Sequence, residues 1–330
     1  MNALIGDIGG TKTILAVFSS EKGPHEPLVE KTYQSAQYAT FEAIVSDFLA
    51  SVKLPVERGC FGVAGPIVNG RAQITNLTWV VDAARLMQEF GLSKVALLND
   101  LQAVAHAVSI LRPEDIHTLS AGTAVPGGSV AVIAPGTGLG EGFLTSVDGK
   151  YSAHASEGSH VSFGPVGELQ MGLLRYLNAQ GFPHVSYERV CSGGLGIPLL
   201  YAYLKAIGHA EEPAWLAEQL AGVDDPTPVI FSAAQDPARP CALANAVLDL
   251  FVEILGAESG NLALKVLSTG GIYLGGGIPP RILAHLEKPA FLEALRAKGR
   301  FRELLTRMPV HVILNAKAGL LGAAAHGLSL

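Results

Sequence analysis

One pattern, occurring twice, constrains this chain more than any other. The apolar runs ALIG and TILAVF flank Gly9 and Gly10, and SVAVIA and EGFLTSV flank the glycine-rich residues 136–140. Short apolar runs broken by glycine read as strands joined by tight turns. Strand, glycine turn, strand at two places in one chain is read as a structural duplication. A third glycine cluster, STGGIYLGGG at 268–277, again joins a short β-type run to glycines, and residues 279–295 after it read as helical.

Helical periodicity is expected at 40–52, 101–111, 166–177 and 242–266, interleaved with buried-type strands such as CFGVAG and KVALLN. Strands alternating with helices define an α/β fold. A boundary is expected near residue 111, where LRPEDIHTL breaks the periodicity. Residues 315–326, NAKAGLLGAAAH, read as a small-residue helix able to approach another element closely. Residues 208–239, with Pro213, Pro226, Pro228 and Pro237, read as a surface excursion.

At 330 residues there is room for two domains, given roughly 100–200 residues per domain. Hydrophobic residues are 49% and charged residues 16%. Yet residues 95–111 carry Asn99, Asp100, Gln102 and His106, and no other run nears the roughly 18 apolar residues of a spanning helix. No membrane partner is expected. The start, MNALIGDIGG, has no basic segment before an apolar one, which predicts a cytoplasmic protein. Cys60, Cys191 and Cys241 lie far apart without a C-x-x-C, so neither a disulfide framework nor a cysteine-rich zinc site is expected. A net charge of −6 with scattered cations gives no footprint for nucleic acid and points to small-molecule partners.

Chemistry enters with GDIGGTKT. Gly9 and Gly10 let backbone N–H groups approach an anion, Thr11 and Thr13 add hydroxyls, and Asp7 stands where a hydrated magnesium ion bridging phosphates could be held. A plain hairpin turn is the competing explanation. PGTGLG at 135–140 has the same character, and two such turns could clamp a polyphosphate; neither fits the P-loop or dinucleotide fingerprint. Gly275, Gly276 and Gly277 would admit a flat base against backbone, or simply start a helix. Asn99 and Asp100 end a strand and precede a helix, a place suited both to ligands and to capping. Glu157 and His160 share a small-residue turn, and Glu188 follows HVSY. Carboxylates, an amide and an imidazole are what a polyol needs, since each hydroxyl both donates and accepts.

In order along the chain, GDIGGTKT, VAGPIVNGRAQITNLTW (63–79), LLNDLQAVAHA, PGTGLG, EGSHVSFGP, HVSYERVCSGGLG, GNLAL, GGIYLGGGIPPR and AGLLGAAAH make it similar to the bacterial glucokinases nearly end to end. The resemblance implies a two-domain actin-like ATPase and hexokinase fold of the ribonuclease H-like kind, α/β with mixed sheets and an interdomain active-site cleft. It implies a small domain at 1–110, completed by a C-terminal helix within about 301–330, and a large domain at 111–300. Glucose would be bound by Asn99, Asp100, Glu157, His160 and Glu188, with Asp100 as the base at its 6-hydroxyl. ATP would lie on Asp7, Gly9, Gly10 and Thr11, on Gly136, Thr137 and Gly138, and beside Gly275, Gly276 and Gly277, with Mg2+ held through water by Asp7. The products would be glucose 6-phosphate and ADP, and the assembly a homodimer.

Two residues depart from that pattern. Lys12 stands where these glucokinases more often have Asn, and DIGGTKT is typical of ROK kinases and sugar-sensing repressors, the alternative reading. The C-x-C-G-x-x-G-C zinc signature of ROK proteins is missing, which favours the zinc-free glucokinases. Glu141 directly follows PGTGLG, where a carboxylate near phosphate is unfavourable, and strand alternation would point it away.

Overall fold

The computed structural model describes residues 1–74 and 77–330. Thr75 and Asn76, inside the segment 63–79 quoted above, lie outside the described residues. The chain divides into two compact units. One comprises Met1–Pro113, Lys150–Ala155 and Asn315–Leu330, the other Glu114–Gly149 and Ser156–Leu314.

In the first unit, β1 (Asn2–Ile8) and β2 (Lys12–Ser19) form the hairpin around Gly9 and Gly10. β3 (Val29–Gln34) pairs with β2, helix α1 (Phe41–Val52) follows, and β4 (Arg58–Val63) runs parallel to β1. β5 (Ile67–Val68), β6 (Arg71–Gln73) and β7 (Val80–Asp82) make a small separate sheet. After α2 (Ala83–Phe90), β8 (Lys94–Asn99) adds parallel to β4 and leads into α3 (Asp100–Val108). The main sheet is ordered β3-β2-β1-β4-β8. Its central strands are apolar on both faces: Leu4, Ile8 and Phe61 pack with Phe41 and Phe48 of α1, while Ala3, Ile5 and Cys60 pack with Leu320, Ala323 and Ala324. Burial on both faces is why these strands read as unbroken apolar runs.

In the second unit, β9 (Ile116–Ser120) precedes β10 (Val130–Pro135) and β11 (Leu139–Val147), which form the second glycine hairpin; of β12 (Lys150–Ser156), which comes next in the chain, Lys150–Ala155 belong to the first unit. Helices α4 (Gly167–Ala179), α5 (Tyr187–Val190), α6 (Gly196–Ala206), α7 (Ala214–Ala221), α8 (Thr227–Gln235) and α9 (Ala242–Val266) lead to β13 (Gly271–Leu274). α10 (Leu283–Leu286), α11 (Pro289–Arg296) and α12 (Arg302–Arg307) precede β14 (Val310–Ile313). The order β2-β1-β4-β8, antiparallel then parallel then parallel, recurs as β11-β10-β13-β14. The duplication read from two glycine turns is therefore a duplication of whole sheets.

Two expectations are corrected. Residues 279–295 are not one helix but a 3-10 turn at Pro279–Ile282, then α10 and α11. Pro289 opens α11 and cannot continue the helix before it, because it lacks the N–H that would close another turn. Residues 208–239 are not a surface excursion. Leu216, Ile230 and Phe231, from α7 and α8, are buried in the core of the second unit.

The last helix, α13 (Ala318–Ser329), follows β14 in sequence and lies with the first unit. Its small residues allow the close approach expected of NAKAGLLGAAAH. A side chain on Gly322 would overlap the carbonyl oxygen of Ala103 and lie 2.7 Å from the amide nitrogen of Ala107 in α3. Gly322→Ala should therefore lower the free energy of unfolding by about 1–3 kcal/mol through overpacking, although alanine's helix propensity alone would raise it by about 1 kcal/mol. Urea unfolding of the two proteins measures the sign.

Candidate active site

A trans peptide directs its carbonyl and the next N–H to opposite sides, and no described peptide bond is cis. In the first glycine turn, Gly9 N–H donates to Lys12 O at 3.0 Å, so that group closes the hairpin and is spent there. Gly9 O accepts from Ser35 Oγ at 2.8 Å, and Thr11 O from Ser35 N at 2.9 Å. With Gly9 O tied back, Gly10 N–H faces the other way. Thr13, expected as a hydroxyl donor to phosphate, is fully buried and shares a 3.0 Å hydrogen bond with Ser35 Oγ. Its place on β2 turns it to a buried face, and of the two threonines only Thr11 is exposed.

Asp7, at the end of β1, has its carboxyl pushed up to about 6, first by burial and second by the charge of Asp100. Asn99 and Asp100 stand at the junction of β8 and α3. The cap falls to Asn99, whose Oδ1 accepts from Leu101 N at 3.0 Å and whose Nδ2 donates to Gly65 O at 3.4 Å. Asp100 is the first helical residue and is exposed, with Oδ1 accepting from Leu101 N at 2.8 Å.

The second turn is built like the first. Gly136 N–H closes it on Gly138 O at 2.8 Å. Gly193 N and Gly194 N donate to the carbonyls of Gly136 and Thr137 at 2.8 and 2.9 Å, which turns the N–H groups of Thr137 and Gly138 outward. Side chains on Gly193 and Gly194 would each come within 2.9 Å of those carbonyl oxygens. Gly193 O is held in turn by Thr227 Oγ1 at 2.7 Å. Ser35, Gly193, Gly194 and Thr227 carry the turns and were given no role in the sequence reading; the SGG doublet at 192–194 was the available signal.

Of the expected sugar ligands, Glu157, His160 and Glu188 come together within the second unit. His160 Nε2 lies 3.6 Å from Glu157 Oε2, and Nδ1 lies 3.4 Å from Glu188 Oε2. Glu188, on α5, is the anchored acid with its side chain 27% exposed, whereas that of Glu157 is 79% exposed. Ser186 caps α5 through Arg189 N. A side chain on Gly138 would meet Glu188 Oε1 at 2.7 Å, so this acid stands directly on the second turn. Asn99 and Asp100 belong to the first unit.

The three glycines at 275–277 differ. Gly275 N donates to Ile133 O at 2.9 Å, and Gly276, at φ +81°, fits so closely that a side chain would overlap Pro135 O. Gly277 has open space where a side chain would be. Glu141, next after the turn, is 1% exposed, its carboxyl held well above the usual range by burial and by the neighbouring Glu258. Among the described residues no group of three or more His, Cys, Asp and Glu is arranged to hold a metal, and no helix is long and apolar enough to cross a membrane.

The fold is that of the hexose kinases. A glucokinase from an Antarctic psychrotroph superposes with a TM-score of 0.83 at 30% identity, over 100% of this chain and 99% of that one. A ROK family glucokinase from Streptomyces griseus, crystallised with glucose and AMPPNP, shares the fold at a TM-score of 0.63 and 23% identity, over all of both chains. The chain belongs to the glucokinase family, whose profile matches residues 4–329. It is 41% identical to a glucokinase of Nostoc punctiforme over 97% of each chain, and 38% identical to one of Synechocystis over 98% of this chain and 97% of that one. It is thus a phosphotransferase of the ATP-dependent sugar-kinase class, as the sequence resemblance implies.

The raised Asp7 carboxyl gives a test. Its contribution to stability is full below its unfolded value of 3.8 and is lost as pH rises through about 6. Asp7→Asn carries no charge to bury, so it should be more stable than the parent near pH 7.5 by up to about 2–3 kcal/mol. Near pH 4 the difference should vanish. Melting temperatures of both proteins across that range measure it.

Proposed function

We propose that the chain transfers the γ-phosphoryl group of ATP to the 6-hydroxyl of glucose, giving glucose 6-phosphate and ADP. The observation that carries this reading is the place of Glu188, whose carboxylate lies 3.4 Å from His160 Nδ1 and also against Gly138 of the second turn. One side chain thus joins a polyol-type cluster to an anion-type turn. Glu157 and Glu188 each accept from sugar hydroxyls, and His160, flanked by both, offers a ring N–H or a lone pair. Asn99 keeps one amide N–H beyond its contact with Gly65 for the sugar.

Asp100 aligns the 6-hydroxyl and accepts its proton as phosphoryl transfer proceeds. Gly10 N–H and Thr11 at the first turn, and Thr137 and Gly138 N–H groups at the second, stabilise phosphate charge through fixed donors. Gly9 and Gly136 serve by shaping those turns, and Gly275, Gly276 and Gly277 lie beside adenosine, with Gly277 the open position. The charge on Asp7 suits magnesium: it is a hard oxygen donor held where burial penalises its anion, a penalty that a nearby cation relieves. Asp7 would hold the ion through water. Bound there with the donor, magnesium supplies charge neutralisation on the phosphates.

The functional domains proposed are residues 1–110 with the C-terminal helix, and 111–300. A cytoplasmic homodimer belongs to the same proposal and rests on the family resemblance alone.

The test is Asp100→Asn. Because Asn99 supplies the cap, the substitution should cost only about 0.3–1 kcal/mol of stability, from the lost charge in the first helical turn. It should lower kcat by about 10²–10⁴, since the amide accepts no proton, while glucose Kd changes far less. A kcat within about tenfold of the parent, in a variant of unchanged fold, removes Asp100 from the role. Glucose should also be preferred to its C2 epimer mannose in kcat/KM, since carboxylates placed for one hydroxyl arrangement are left unpaired by another. Comparable values would refute the sugar site.

A further inference from the structure

Glu141 is among the most buried charged-type residues of the chain, and the side chain its carboxyl faces is another carboxyl, that of Glu258. An ionised carboxylate so placed is strongly penalised, which keeps the group uncharged. Beside it stands Glu258, fully buried in α9. Glu258 Oε2 accepts from Asn261 Nδ2 at 2.8 Å, and Oε1 faces Lys265 Nζ at 3.5 Å. Asn261 Nδ2 also donates to Tyr187 OH at 3.0 Å, and Asn261 Oδ1 accepts from Lys298 Nζ at 2.6 Å. Tyr187 directly precedes Glu188. Gly158 is seated on the same carboxyl: a side chain there would overlap Glu141 Oε2 and lie 3.2 Å from its Cδ. Gly158 directly follows Glu157 and opens the turn that ends at His160. One buried patch therefore touches both segments that carry the sugar-binding acids.

We infer that Glu141 is a positioning residue for sugar recognition: uncharged, it supports the turn at Gly158 and, together with Glu258 and Asn261, sets the spacing between Glu157, His160 and Glu188. The inference rests on the sugar site proposed above. Ionisation would place a second negative charge beside Glu258, with Lys265 and Lys298 as the neighbouring cations and the Cys191 thiol and Tyr187 hydroxyl as the other titratable groups around the pair. Like-charge repulsion would then shift the carboxyl on which Gly158 is seated. Since the carboxyl is raised, the uncharged form prevails at neutral pH and is lost as pH rises.

The experiment measures glucose KM, ATP KM and kcat of the full chain from about pH 6 to about pH 9, with His160→Ala as reference. In the parent, glucose KM should rise about tenfold toward the alkaline end while ATP KM moves far less. Glu141→Gln, uncharged at every pH, should lack that rise; the same rise in parent and variant overturns the inference, as does a parent profile that is flat. Gly158→Ala should raise glucose KM by about 10–100-fold, and Glu141→Ala in the same chain should recover much of it by vacating the space. Additive effects of the two substitutions also count against it. Should Gly158→Ala fail to fold, the comparison of pH profiles decides alone. If His160→Ala leaves glucose KM unchanged, the sugar-site reading falls and takes this inference with it; if only the Glu141 variants are silent, the sugar site stands and the positioning role falls.

Discussion

The planar peptide governs how both glycine turns work. A loop that is to offer N–H groups to an anion must hide its carbonyls, and a carbonyl is hidden only by a donor on the far side. In the first unit that donor is Ser35, through both its hydroxyl and its backbone. In the second it is the pair Gly193 and Gly194, close enough to the turn that side chains there would come within 2.9 Å of its carbonyl oxygens. The duplicated sheets arrive at one electrostatic outcome with different supports. The second support reaches further, because Thr227 fixes Gly193 and itself opens α8.

Much of this was legible in sequence for a simple reason. Strands buried on both faces are apolar without interruption, so β1, β4, β10 and their glycine turns stand out, and α9 carries an apolar pattern long enough to be read to both ends. The failures are equally physical. Pro213, Pro226 and Pro228 suggested a solvated excursion, yet prolines flank or open α7 and α8 there and their apolar faces are buried. Asn99 and Asp100 are both good caps, and only backbone geometry shows that the cap is Asn99. Thr13 reads as a phosphate donor by residue type, yet alternation along β2 turns it to the buried face. Glu141 was unreadable, since a buried carboxyl is recognised by what surrounds it, and Glu258 and Asn261 lie far away in sequence.

Both raised carboxyls, Asp7 and Glu141, are features that a stability-optimised sequence would lose first. Replacement by an uncharged side chain removes the burden of burying a charge or a proton donor with few partners. Their presence fits the general observation that strained or destabilised groups gather where function requires them. For Asp7 the charge of Asp100 adds to the effect of burial, so two acids of the first unit stand close together at the ends of β1 and β8.

The position of α13 has a consequence for how the protein is made. Leu320, Ala323 and Ala324 complete one face of the first sheet against Ala3, Ile5 and Cys60. A ribosome produces that sheet early and this helix only after the whole of the second unit. Until then, one face of β1 and β4 is exposed and apolar, a state that favours aggregation and chaperone binding. The core of the second unit, by contrast, draws only on residues within it, so its completion does not wait for α13.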